Sequence, residues 1–235
     1  MVDKHLSTQF DAELSAISTR VLEMGGLAES QVAQAVYALT QFSGDLASQV
    51  LIEEERVNTM EIEIDRDLSF IIARRQPTAR DLRLLIAISK AIANLERVGD
   101  EAARIARTVQ RLLNTGVSSR LRLPVDDMTY AAGLATTSLR HALDAFARLD
   151  TAQAFQVIKE DNVIDREFDG LLRKLVTYMM EDPRTISASI DLVFVAKSIE
   201  RVGDHAKNLA EQVIYIVKGA DVRHISMDNL QSAVR

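Results

Sequence analysis

Two pairs of carboxylates, each spaced by four, stand in the first half of the chain: Glu61 with Asp65, and Glu96 with Asp100. The second half has Asp165 with Asp169 and Glu200 with Asp204. On a helix, a spacing of four puts both members of a pair on one face, about 5–6 Å apart. Two such pairs brought together gather four like charges, which raise one another's pKa unless a cation neutralises them. An all-oxygen donor set of this kind suits a hard cation. The ordinary alternative is a solvated acidic face, with Arg66, Arg97 and Arg201 as ion-pair partners that remove any need for metal. Spacing alone leaves both readings open.

What must position these acids is a repeated unit. Glu96-Arg97-Val98-Gly99-Asp100 recurs as Glu200-Arg201-Val202-Gly203-Asp204, a shift of 104. The same shift lays Leu39 on Leu143, Phe42 on Phe146, Met60 on Ile164, Leu68 on Leu172, Leu95 on Ile199 and Val109 on Val213. Glu61 and Asp65 fall on Asp165 and Asp169, so both pairs are present in both units. Register held over a hundred residues marks an internal duplication.

Within the first unit the breaks define three helices. The first covers about 6–42 and ends at Ser43-Gly44-Asp45; the second covers about 46–75 and ends before Gln76-Pro77. The third opens at Thr78-Ala79-Arg80-Asp81, which has the form of a capping box, and runs to about Gly116. Its stripe of Leu85, Ile88, Ile92, Leu95, Gly99, Ala102, Ala106, Val109 and Leu113 alternates spacings of three and four, the pattern of a seam against neighbouring helices. The resulting division is a three-helix bundle over 1–116, a linker over 117–124, a second bundle over 125–219 and a mostly polar tail over 220–235. The fold class is all-α, two three-helix bundles in tandem.

This topology lets the acids converge. Glu61 lies 16 positions before Pro77 and Glu96 lies 19 after it. At about 1.5 Å per residue, their levels on antiparallel helices differ by about one turn. Met60, Ile64, Leu95 and Gly99 each precede one of the four acids, so the acids flank the seam. Glycine inside a helix costs about 1 kcal/mol relative to alanine, and Gly99 and Gly203 would permit a close approach of a neighbouring helix.

Composition closes several other routes. Hydrophobic residues make up 47% and aromatics only 5%, with 3 Pro and 9 Gly, so an aliphatic core of long helices is expected. A net charge of −6 and no concentrated basic run argue against nucleic-acid binding. With no Cys, thiolate metal sites and cysteine nucleophiles are excluded. The sequence shows no secretory signal or long uncharged apolar run, so a cytoplasmic location is expected, with membranes reached only through partners. Neither Glu96 nor Glu200 has the His three residues on that di-iron bundles use. His205 has Glu101 as its counterpart in the first unit and reads as a surface residue. Met24-Gly25-Gly26 lacks the pattern of a phosphate-binding loop. No nucleophile–base pair stands out, so no catalytic residue is expected; the enzymatic alternative is a carboxylate-ligated metalloenzyme of helical-bundle type.

Over almost its full length the chain resembles the PhoU family. The resemblance is carried by the repeated Glu-Arg-Val-Gly-Asp, by Arg74-Arg75-Gln76-Pro77-Thr78-Ala79-Arg80-Asp81-Leu82-Arg83 and by Tyr178-Met179-Met180-Glu181-Asp182-Pro183-Arg184. Met24-Gly25-Gly26 and Ala142-Leu143-Asp144-Ala145-Phe146-Ala147-Arg148 are similar to family members as well. It implies two symmetric bundles, frequently dimeric. It also implies a negative regulator of phosphate uptake and phosphate-starvation signalling, connecting the Pst phosphate ABC transporter ATPase with a PhoR-type sensor histidine kinase. Carried over residue by residue, it implies metal ligands at Glu61, Asp65, Glu96, Asp100, Asp165, Asp169, Glu200 and Asp204, holding a divalent or multinuclear metal (iron, manganese or magnesium). The second unit departs from the first by offering Asp165 where the first has Glu61.

Overall fold

The computed structural model describes residues 8–114 and 124–234, the side chains of 232–234 excepted. Its helices are α1 (Thr8–Gln41), α2 (Gly44–Arg75), α3 (Ala79–Asn114), α4 (Val125–Arg148), α5 (Thr151–Glu181), α6 (Ile186–Lys218) and α7 (Met227–Val234), with a 3₁₀ turn at Pro183–Thr185 before α6. No strand occurs among the described residues.

Local chemistry sets the ends. Ser43 caps α2 by accepting from the Leu46 N–H, which starts that helix two residues earlier than the sequence pattern suggests. Asp150 caps α5, accepting from the N–H groups of Ala152 and Gln153. Gln76 stops α2 in a left-handed conformation, φ 47°, and donates its N–H to the Ile72 carbonyl; Pro77 behind it cannot continue the helix. Gly219, φ 71°, ends α6 in the same way.

Helices α1, α2 and α3 pack pairwise, as do α4, α5 and α6. The units then join through α3 against α6 and α1 against α4, so both contribute to one continuous hydrophobic core. Three pairings show that α3 and α6 run antiparallel: Asn94 meets His205, Glu101 meets Arg201 and Arg111 meets Asp191. Helix α3 therefore contacts α1, α2 and α6 and is buried well beyond a single stripe. The expected seam from Leu85 to Val109 is buried, but Ala87, Ala91, Val98, Ala103 and Ile105 are buried too. At the far end Leu113 faces solvent and Leu112 takes the inward place.

Helices α2 and α5 lie outermost, each resting on its own unit, with α7 added against α5 and α6. The polar tail read from the sequence thus contains a docked helix, anchored by buried Val222 and Leu230. Residues 117–123 of the expected linker lie outside the described residues; Pro124 stands at the N-cap of α4.

Candidate functional site

In the first unit α2 supplies Glu61 and α3 supplies Glu96, both half-buried. Burial raises the pKa of Glu61, and Asp65 and Asp100 raise it further while Arg97 opposes them. Burial likewise raises Glu96, followed by Asp100, with Arg97 opposing and Glu61 adding to the rise. Four carboxylates from two helices therefore act on one another, as the antiparallel register implies. Asp65 stands exposed at the edge of this group. Arg97 reaches toward it without closing on it: its guanidinium is 3.5 Å from both Glu96 and Asp100, beyond the range of a strong charge-assisted bond.

The second unit differs in membership. Burial, then Glu200 and Asp161, push Asp204 up to about 6, against the opposing charge of Lys197. Burial and then Asp161 and Glu200 also raise Asp165. Asp169 is exposed, and among the described residues no hydrogen bond or ion pair joins it to the group. Asp161, one turn earlier on α5 and 4% exposed, stands with Asp165 instead. Its repeat counterpart is Val57, so comparison of the two copies does not find it. The i,i+4 spacing of Asp161 and Asp165 is the signal that would have. Two lysines also enter this site: Lys207 Nζ is 2.8 Å from Asp161 and Lys197 Nζ is 2.6 Å from Glu200.

The glycines of the repeated pentapeptide sit tightly against side chains of neighbouring helices. A Cβ on Gly203 would lie 2.8 Å from Ile164 Cδ1, and one on Gly99 would lie 3.2 Å from Gln31 Oε1 and 3.4 Å from Val57 Cγ1. His205 is a correction to the surface reading. It lies in the α3–α6 interface, its Nδ1 3.0 Å from Asn94 Oδ1. Because that oxygen accepts, Nδ1 carries the proton. Burial holds the imidazole pKa below its ordinary value.

The chemistry of the donor sets, oxygen-rich and mutually repelling, fits a hard cation. As the side chains stand, no three His, Asp or Glu among the described residues are arranged to hold one ion. The first group is opposed by Arg97 at 3.5 Å, whereas the second holds two lysines at 2.6 and 2.8 Å. Of the two, the first has more charge left to neutralise. No helix of the described residues is long and apolar enough to cross a membrane.

A family model described as the PhoU domain matches residues 21–109 and 130–213. A phosphate-specific transport system accessory protein PhoU homolog from Burkholderia sp is 50% identical over 230 residues, covering 98% of this chain and 97% of that protein. The phosphate-specific transport system accessory protein PhoU of Escherichia coli (strain K12) is 44% identical, covering 97% and 93%. Among solved structures, PhoU from Pseudomonas aeruginosa superposes with a TM-score of 0.83 at 46% identity, over 90% of this chain and all of that one. The phosphate transport system regulatory protein PhoU from Streptococcus pneumoniae, at 24% identity, gives a TM-score of 0.82 and shares the fold.

Proposed function

The chain belongs to the PhoU domain family, and on that premise we propose that it is a non-catalytic accessory protein of a phosphate-specific transport system. In this reading it restrains phosphate uptake and phosphate-starvation signalling by bridging a Pst-type transporter ATPase and a PhoR-type histidine kinase, and it works as a homodimer. The observation that carries the reading is similarity at 44–50% identity across nearly the whole of relatives that bear this name. The surface is consistent with work by contact. Helix α2 exposes Ile52, Ile62 and Phe70, and α5 exposes Val176 and Met180, so the two outermost helices keep apolar side chains available for partners.

The carboxylate groups fit the same reading as cation sites: Glu61, Asp65, Glu96 and Asp100 in one unit, and Asp161, Asp165, Glu200 and Asp204 in the other, with Asp169 at its margin. A bound cation would supply charge neutralisation between the outer helix and its neighbour. Held to one cation, these residues would set how far α2 stands from α3, and hence the shape of the docking face.

Deleting the gene tests the proposal. Phosphate-starvation genes should switch on in phosphate-rich medium and fall silent again when the gene is restored. Unchanged expression in the deletion strain would overturn it.

A further inference from the structure

A groove of about 620 Å³ runs along the α3–α6 seam, lined by Arg104, Arg107 and Arg111 of α3 and by Phe194, Lys197 and Arg201 of α6, with Thr108 and Ser198 at its floor. No carboxylate lines it, although the chain as a whole carries a charge of −6. From this arrangement we propose that the groove binds a nucleoside polyphosphate, with the phosphates on the arginines and the base on Phe194.

Three features point to that ligand. First, the cations are held from behind. Glu101 Oε1 accepts from Arg104 at 2.8 Å and from Arg201 at 3.2 Å. Glu54 takes Arg107 at 2.9 Å, Asp191 takes Arg111 at 3.0 Å and Glu200 takes Lys197 at 2.6 Å. The supporting carboxylates are only 4–13% exposed, while the five cationic side chains are 41–56% exposed. Flexible surface arginines lose rotamer freedom when they bind an anion. Here that ordering is already present in the folded chain. The carboxylates damp the field at long range, but a phosphate oxygen in the groove meets guanidinium N–H groups directly and the carboxylates only across them. Glu101 serves two arginines, so the acids do not cancel the cations one for one.

Second, the cations are guanidinium-rich and clustered, which suits several phosphate oxygens in bidentate contact better than a lone charge. Third, Phe194 is 61% exposed in the middle of this cationic lining. An aromatic face left in solvent beside arginines is the platform on which bases stack. The volume lies in the range that small-molecule sites occupy, roughly 300–1,000 Å³. The arginines of α3 sit at heptad spacing, Arg97, Arg104 and Arg111, and meet the cations of α6 only because the two helices run antiparallel. No concentrated basic run marks these cations in the sequence; the packing of two helices assembles them.

Calorimetric titration of the purified full chain tests the proposal, using ADP, ATP and inorganic pyrophosphate in chelator-containing buffer so that the carboxylate groups contribute no metal. ADP and ATP should bind. Phe194→Ala should weaken ADP about tenfold and leave pyrophosphate unaffected, whereas Arg201→Gln should weaken all three. Phe194 is exposed, so its substitution should leave the unfolding midpoint in place; a midpoint check on both variants keeps folding defects out of the comparison. Absence of ADP and ATP binding at about 1 mM would overturn the proposal. So would pyrophosphate binding as tightly as ADP, or ADP binding unchanged in Phe194→Ala. The readout is direct binding, so a negative result leaves the proposed role in phosphate regulation standing.

Discussion

Glu101 and His205 occupy the same position of the repeat, 104 residues apart, and face each other's helix across the α3–α6 interface. Glu101 pairs with Arg201, and His205 bonds to Asn94. Arg97 and Arg201 are likewise repeat mates, and both, together with Glu101, act on the charge of His205. A pseudo-two-fold axis thus passes through this contact, and a surface copied by duplication has become an internal joint. Two glutamates at that axis would repel. A histidine kept neutral by burial removes one of the two charges.

Restoring the symmetry should therefore cost stability. His205→Glu places a second carboxylate beside Glu101, and a loss of about 1–3 kcal/mol is expected at neutral pH. Urea unfolding of the single variant and of His205→Glu combined with Glu101→Gln should show the second substitution recovering part of the loss. Additive losses would mean that the two positions do not sense each other.

The repeated glycines should respond unequally to alanine. Each substitution gains about 1 kcal/mol of helix propensity. At Gly203 the new Cβ collides with Ile164 Cδ1 and presses on its Cγ2, which costs about 1–3 kcal/mol of overpacking. At Gly99 the nearest atoms are the terminal oxygen of Gln31 at 3.2 Å and Val57 Cγ1 at 3.4 Å, a milder approach than the one at Gly203. Thermal unfolding should show Gly203→Ala less stable than Gly99→Ala, with Gly99→Ala close to the parent chain.

The repeat carried most of the fold in plain view, because Leu95, Gly99, Ile199 and Gly203 are buried for the same reason in both units. It hid whatever only one copy has. Asp161 stands opposite Val57, Lys197 opposite Ala93 and Lys207 opposite Ala103, so the second carboxylate group could not be composed by analogy with the first. The α3–α6 joint was hidden for another reason. Small buried residues of α3 such as Ala87 and Ala91 do not announce a contact face, and the alternation of apolar residues records only the stronger stripe. Cations at 104, 111, 197 and 201 look like ordinary solvated charges until antiparallel packing sets them across one groove.

Unequal neutralisation of the two acidic groups predicts unequal metal affinity. Protein purified without chelators or a histidine tag should carry a hard cation at the first group, and Glu61→Gln combined with Glu96→Gln should abolish it in elemental analysis. At a hundredfold excess over its dissociation constant, added manganese should stabilise the parent chain by about 2–3 kcal/mol and the double variant by much less. Equal metal content in both proteins would remove the first group as the binding site.

Without metal, the second group should make stability fall as pH rises through about 6. Asp204 is pushed up to about 6 chiefly by burial, then by Glu200, Asp161 and Asp165, with Lys197 opposing. A carboxyl whose folded pKa exceeds its unfolded value binds its proton more tightly when folded. Its stabilising contribution is complete below the unfolded pKa and is lost as pH rises through the folded one. Above that window an ionised Asp204 sits among like charges, and solvent screening at this half-exposed position limits the cost to about 1–2 kcal/mol. Asp204→Asn should then raise the urea midpoint of chelator-treated protein at pH 7–8 and raise it by clearly less near pH 4.5, where folded Asp204 still holds its proton. A gain of equal size at both pH values would trace the effect to packing, and no gain at pH 8 would mean that Lys197 and Lys207 already balance the group.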